Sequence, residues 1–358
     1  MDQPRQDRKG AALAIDVTIL GAGVFGLGCA FALARRGARV RVVDPAGVGA
    51  GASGGIVGAL APHVPEQWND KKAFQLDSLL MAEDWWHAVA QIGGGDPGYA
   101  RTGRLQPIPD DAAQIRAVER AAGAASLWQG RAIWTVEKAP GGWTPGTPLV
   151  IRDTLSARIH PRRACDALAA AIVALGGTID AQATPEGQVL HATGWQGLAA
   201  MQDDRGRAAG NGVKGQAALL DLDRRDMPQL YADGLHIVPH ADGTVAIGST
   251  SERDFDDAGP DELLDDILIR ARTAVPALAD GPVLQRWAGI RPRARSRAPL
   301  MGAWPNRPGH FIANGGFKIG FGVAPKIAET MADLMLDERD AIPEAFRSDT
   351  LAPWDARG

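Results

Sequence analysis

The chain has 358 residues, 45% of them apolar and 22% charged, with a formal net charge of −4. These fractions exclude a disordered or fibrous chain, and the length allows about two domains with cores of their own. The slight acidity argues against a general electrostatic hold on nucleic acid, and two cysteines, Cys29 and Cys165, cannot build a disulfide framework, so a reducing, cytoplasmic location is expected.

Val17 to Ala34 carries no charge, yet glycines at 21, 23, 26 and 28 interrupt it and an alternating strand follows at once, so a membrane span is not expected. The run reads instead as a strand over Ile15–Leu20, a turn Gly21-Ala22-Gly23-Val24-Phe25-Gly26, a helix to Arg36 ending at Gly37, and a second strand ending at Asp44. In this unit the first glycine permits the turn. The second lets backbone N–H groups approach a pyrophosphate at the helix N-terminus, and the third lets helix and strand pack closely. Asp44, after the second strand, suits a ribose hydroxyl. The unit predicts dinucleotide binding and by itself leaves FAD and NAD open. Gly47 to Gly58 holds six glycines, a loop that lets backbone come close to a ligand.

Further along, helices are expected over Phe74–Ile92, Ala112–Ala125, Pro161–Leu175, Asp261–Val275 and Val323–Leu336. Short strands are expected within Arg131–Val150, over Val189–Thr193 running into the Gly194 turn, and over Gly215–Leu222. His236–Pro239 and Thr244–Gly248 read as strands joined by an Asp242-Gly243 hairpin, with Trp287–Pro292 and Phe311–Ala313 completing the set. No metal-ligand spacing and no nucleophile elbow occurs, so hydrolytic and metal chemistry have no support.

The Gly21 turn with Asp44, Gly51-Ala52-Ser53-Gly54 and Leu60-Ala61-Pro62 resemble the opening of the D-amino-acid oxidase superfamily of FAD-dependent oxidoreductases. Val213-Lys214-Gly215-Gln216, His236-Ile237-Val238-Pro239, Trp287-Ala288-Gly289-Ile290-Arg291-Pro292 and Gly315-Gly316-Phe317-Lys318 resemble later segments of the family, in its order. The subgroups in question include glycine oxidases, sarcosine oxidases, D-amino-acid dehydrogenases and the oxidase half of a tRNA wobble-uridine modifying enzyme. The resemblance implies an α/β fold: a Rossmann-like FAD domain assembled from about 14–75, 150–210 and 285–340, with a second α+β substrate domain over 76–149 and 211–284. That second domain is built on a mixed, largely antiparallel sheet, and 1–13 and 341–358 are expected as tails.

The resemblance also implies site residues. Cofactor contacts fall on Gly21, Gly23, Val24, Phe25, Gly26, Asp44, Pro45, Ala52, Ser53, Gly58, Ala59, Leu60, Gly194, Gly316, Phe317, Lys318 and Ile319. Arg291 is expected to hold a substrate carboxylate in two-point geometry, Lys318 to lie beside that carboxylate and the flavin, and His236 to orient substrate or accept a proton. Some relatives carry an oxygen-activating Lys where this chain has Ala246 and a flavin-linking Cys near Gly289. Neither is present, so a noncovalent FAD is expected and oxygen or another electron acceptor stays open. The expected reaction is oxidation of the C–N bond of a small amino acid or N-substituted glycine by hydride transfer to flavin N5, the imine then hydrolysing. A tRNA wobble-uridine modifying FAD oxidase and a flavin-binding protein without turnover are the alternatives. Arg291, Arg293, Arg295 and Arg297 are spaced by two, which in a strand puts them on one face. Such a row either extends the site toward an acidic substrate or pairs with the acidic stretch Glu252–Asp266. The oligomeric state is left open.

Overall fold

A computed structural model describes residues 14–351. The chain opens with β1 (Val17–Leu20), α1 (Val24–Arg35), β2 (Val40–Val43) and β3 (Ala59–Leu60). There follow α2 (Asp70–Gly93), β4 (Arg104–Ile108), α3 (Asp111–Leu127), β5 (Trp134–Lys138), β6 (Leu149–Asp153) and β7 (Ala157–Arg158). Next come α4 (Pro161–Ala174), β8 (Thr178–Asp180), β9 (Gln188–His191), α5 (Gly194–Ala200) and β10 (Gly210–Asp221). The rest is β11 (Gln229–Ala232), β12 (Leu235–Pro239), β13 (Thr244–Gly248), α6 (Leu263–Ala274), β14 (Val283–Ala294), β15 (Leu300–Ala303), β16 (His310–Asn314) and α7 (Gly320–Asp337).

Two sheets organise these elements. The first has the order β15-β16-β9-β1-β2-β8 and is parallel apart from the β15/β16 pair, so its strands come from three distant stretches of chain. The helix α1 is uncharged until Arg35 and almost wholly buried, packed between this sheet and the helices α4 and α7. It has no polar stripe because it has no solvent face, which is why its apolar run could imitate a membrane span. Among the described residues no helix is long and apolar enough to cross a membrane.

The second sheet, β14-β10-β13-β12-β11-β4-β6-β5, is antiparallel except for β11 against β4. The helix α6 covers one of its faces through Leu264, Ile267, Leu268 and Ala271. The hairpin at Asp242-Gly243 pairs Pro239 with Val245, with Gly243 at φ +87°. β10 and β14 are the longest strands, paired from Gly210↔Ala294 to Leu220↔Val283. Their far ends differ in surroundings: Leu220 lies in the core under α6, whereas Ala294 packs with Leu300 and Ile312 of the first sheet. This ribbon joins the two sheets.

Element ends differ from expectation where caps decide them. α2 starts at Asp70 because the Asn69 side chain accepts from Lys72 N at 3.2 Å, and it stops at Gly94, φ +71°. α7 starts at Gly320, ahead of the expected Val323, because its first turn is built from Gly320, Phe321 and Gly322, a stretch without apolar periodicity. The expected tail over 341–358 is corrected for its described part. Ile342 and Phe346 are buried, and the Phe346 ring meets Phe74 at 5.0 Å, since two apolar side chains gain more against α2 than in water. Residues 1–13 and 352–358 lie outside the described residues.

Candidate active site

The carboxyl ends of β1, β2, β9 and β16 open on one edge of the parallel sheet, where ligands of such sheets bind. Along that edge runs a cleft of about 1000 Å³ that continues under β14. Gly21, Gly23, Val24 and Phe25 line one end. Gly21 has φ +109°, and a Cβ on it would lie 2.3 Å from Ala192 O, so only glycine fits beside the turn after β9. Gly26 does not line the cleft. A Cβ there would lie 1.9 Å from Gly21 O, so its place is the contact that lets α1 rise directly out of the turn.

The first turn of α1 has N–H groups without intrahelical partners. Ser53 Oγ accepts from Val24 N at 2.9 Å, which fixes the hydroxyl at the helix N-terminus with its proton still to donate. Asp44 Oδ2 accepts from Ala22 N at 2.8 Å and Oδ1 from Ala46 N at 2.9 Å, so the carboxylate is held at the end of β2 with lone pairs to spare. Asp44 and Pro45 line the cleft, as do Ala52, Ser53, Gly58 and Ala59 of the glycine-rich loop. Leu60 does not. It is 1% exposed, its backbone paired with Ala157 in the small sheet β3/β7. Gly194 and the segment Gly316–Ile319 line the opposite wall, tied together by Asn314, whose Nδ2 donates to Gly194 O and whose Oδ1 accepts from Gly315 N.

A dinucleotide such as FAD fits these residues. The helix N-terminus with the Ser53 hydroxyl suits a diphosphate, the held Asp44 suits a ribose, and the long groove between the two walls suits a flat ring system. Both cysteines are buried, and neither lines this cleft. Burial raises both thiols, Cys165 to about 12, so neither is poised to form a thioether.

Beyond this groove stands Arg291 on β14. Its guanidinium crosses β10 directly over Gly215, where a Cβ would lie about 2 Å from it. It donates to Thr250 O at 3.2 Å and to Ser249 Oγ at 2.5 Å. Burial pushes it down to about 10, and no acid among the described residues pairs with it. Lys318 stands at the mouth, its ammonium lowered by partial burial and by the charges of Arg291 and Arg293. His236 lines the same space, its ring 4.8 Å from Tyr231. Burial, with Arg104 and Lys318 nearby, pushes this imidazole down to about 3. At neutral pH the ring is uncharged.

The four-arginine row does not survive folding. Arg293 lies over the Phe317 ring at 5.5 Å, but β14 ends at Ala294, and Arg297 takes φ +58°. Arg295 turns to Asp203 at 3.3 Å, outside the acidic stretch 252–266. Sequence reasoning missed Trp195, Tyr231, Ser249 and Trp287, which also line the cleft. Trp195 follows Gly194 directly, and Trp287 opens the segment that holds Arg291, so both had a signal. Tyr231 and Ser249 had none, because they arrive through strand register (Tyr231↔His236) and through the end of β13.

Comparison with known proteins agrees with this geometry. Residues 16–334 match the family model described as DAO, FAD dependent oxidoreductase. The chain is 29% identical over 346 residues to the tRNA 5-methylaminomethyl-2-thiouridine biosynthesis bifunctional protein MnmC of Maricaulis maris, across 94% of this chain and 54% of that protein. It therefore spans about half the length of that relative. It is 27% identical to a glycine oxidase of Pseudomonas putida, across 92% of this chain and 96% of the relative. The crystal structure of glycine oxidase from Bacillus cereus superposes with a TM-score of 0.78 at 18% identity, covering 96% of this chain and 99% of that one.

Two outcomes are expected. Gly26→Ala forces α1 away from the turn, so the purified variant carries little FAD, whereas the parent releases its FAD intact on denaturation; absorbance of the supernatant after precipitation reads both. The second concerns pH. The unfolded chain protonates His236 near its ordinary 6.5, but the folded chain only near 3, so stability falls as pH drops through that window. His236→Phe therefore loses less of its urea midpoint than the parent between about pH 7 and pH 4.5. His191 and His240, both pushed down to about 4, keep some acid sensitivity in either protein.

Proposed function

The chain belongs to the DAO family of FAD-dependent oxidoreductases, and from that premise we propose that it oxidises the C–N bond of a small amine bearing an α-carboxylate, an amino acid or an N-substituted glycine, to an imine that water hydrolyses. The observation that carries this reading is Arg291, a half-buried guanidinium facing the cleft with only neutral partners, Ser249 and Thr250. A cation partly withdrawn from water without an acid is costly, and a ligand carboxylate supplies the missing counter-charge.

FAD, when bound, supplies the two-electron acceptor. The protein's own residues hold the amine. Arg291 fixes the carboxylate from beneath, and Lys318 adds a second cation from the mouth. The neutral His236 ring and Tyr231 wall the space beside it, and their orientation of the substrate in a narrow cleft is the protein's main contribution to rate. The tRNA-modifying reading has its support in the Maricaulis relative. The net charge of −4 favours a free small substrate over RNA.

An acidic substrate extends this reading, with a narrower basis than the whole arginine row. Arg293 and Lys318 flank one Phe317 ring at 5.5 and 5.6 Å, so a second anionic group would meet these two.

Mixing the protein anaerobically with glycine, sarcosine, D-amino acids, imino acids and modified nucleosides tests the reaction. Bleaching of the flavin by a carboxylate-bearing amine is expected, and bleaching by modified nucleosides alone would transfer the assignment to RNA. Arg291→Ala keeps its FAD but binds acetate about 10- to 150-fold more weakly, the loss of one charge-assisted contact worth about 1.5–3 kcal/mol. For the acidic extension, Arg293→Gln removes any kinetic advantage of a diacidic amine over its monoacidic analogue and leaves the analogue unchanged. Equal treatment of both amines by parent and variant rules the extension out.

A further inference from the structure

The sheet beside the cleft holds two glycines in direct register, Gly215 on β10 and Gly289 on β14. Each leaves its place to a side chain from elsewhere on the same face. A Cβ on Gly215 would lie 1.9 Å from Arg291 Nη1, and a Cβ on Gly289 would lie 2.4 Å from Trp287 Cζ2. Directly opposed residues of antiparallel strands have Cβ positions about 4.5–5.5 Å apart, so the indole and the guanidinium are neighbours. Trp287 pairs with Ala217, Ala217 with Gly248, and Gly248 with His236. Residues paired in this way share a face, so indole and imidazole stand on either side of two small residues. A ligand whose carboxylate meets Arg291 thus has the indole as one wall of the space for its remaining atoms.

The same edge of the indole also lies against the glycine-rich loop, where a Cβ on Gly55 would be 3.3 Å from Cη2. The ring therefore fills the gap between sheet and loop. Beyond it is a second cavity of about 360 Å³, with Arg162, Cys165 and Asp166 in its wall. Ala50, Gly51 and Trp287 line both this cavity and the cleft. Of these three only Trp287 has a bulky side chain. A close-packed core behind the indole would refuse a larger ligand whatever residue stood at 287, whereas a cavity leaves the refusal to the indole.

We propose that Trp287 is a specificity-determining residue whose indole closes the cleft beside the carboxylate site and limits the amine to a small α-substituent. The inference rests on the reading of Arg291 as the carboxylate site and adds what sets the size of the group next to it.

The experiment titrates the FAD-loaded protein with acetate and with phenylacetate, read by perturbation of flavin absorbance. In the parent, phenylacetate should bind at least about tenfold more weakly than acetate, because its ring and the indole claim one space. Trp287→Ala should bind phenylacetate at least about tenfold more tightly than the parent does, and acetate within about threefold of it. Steady-state kinetics with the D and L forms of alanine and phenylalanine should agree. In Trp287→Ala the kcat/KM of phenylalanine relative to alanine rises at least about tenfold. An indole that only props the glycine-rich loop gives another pattern, in which both acids weaken together and the substrate ratio stays fixed; that result overturns the proposal. Phenylacetate binding to the parent as tightly as acetate overturns it too. If Trp287→Ala sheds its flavin, Trp287→Leu keeps an apolar side chain against Gly55. It should still bind phenylacetate at least about threefold more tightly than the parent, and no gain is again an overturning result. Arg291→Ala separates the two layers. If it leaves both acids bound as in the parent, the carboxylate reading fails and takes this inference with it. If it weakens both acids while the Trp287 variants keep the parent's preference for acetate, only the size limit fails.

Discussion

A partly buried positive charge with only neutral hydrogen-bond partners is the constraint around which one end of the cleft is arranged. An acid would neutralise Arg291; the fold offers it a serine hydroxyl and a carbonyl instead. These neutral partners fix the guanidinium without cancelling its charge, and burial alone already lowers its pKa to about 10. Gly215 is part of the same solution, since a side chain at that position would stand where the guanidinium lies. The long pairing of β10 with β14 carries this arrangement to the edge of the parallel sheet, because the two strands start in one core and end in another.

The cofactor half obeys a different physics. Parallel strands present their carboxyl ends on one edge, and the connections from four of them become loops there with unused backbone groups. The turn before α1 is pressed so tightly against the turn after β9 that neither Gly21 nor Gly26 has room for a methyl group. Close approach of backbone to ligand and close packing of helix on strand are one requirement met by one set of glycines. Behind them, α1 is held by sheet and helices, so its first turn meets the cleft from a rigid base.

The glycine spacing, the strand on either side of it and Asp44 after β2 are local features, legible because each depends on residues within about two dozen positions of one another along the chain. Arg291 was legible for a related reason: it sits in the contiguous segment Trp287–Pro292, whose resemblance to one family segment led to the expectation of a place in the site, and it does line the cleft. The arginine row shows the limit of such reasoning. A spacing of two puts residues on one face only while the strand lasts, and β14 ends at Ala294, so Arg295 and Arg297 part from their neighbours.

What only the tertiary structure decided are the relations between distant segments. Nothing near Lys214 in sequence says that it meets Glu252 and Asp261, because that contact depends on how the chain beyond β13 lies along β10. Tyr231 beside His236 depends on register, and register is fixed by the burial of whole strand faces rather than by any one residue. Sequence by itself determined the nucleotide-binding unit and singled out Arg291 as a residue of the cleft, since both reside in short contiguous motifs with stiff local geometry. Whether that cation would stand free or be neutralised by an acid of its own chain was a long-range question, and packing alone could answer it.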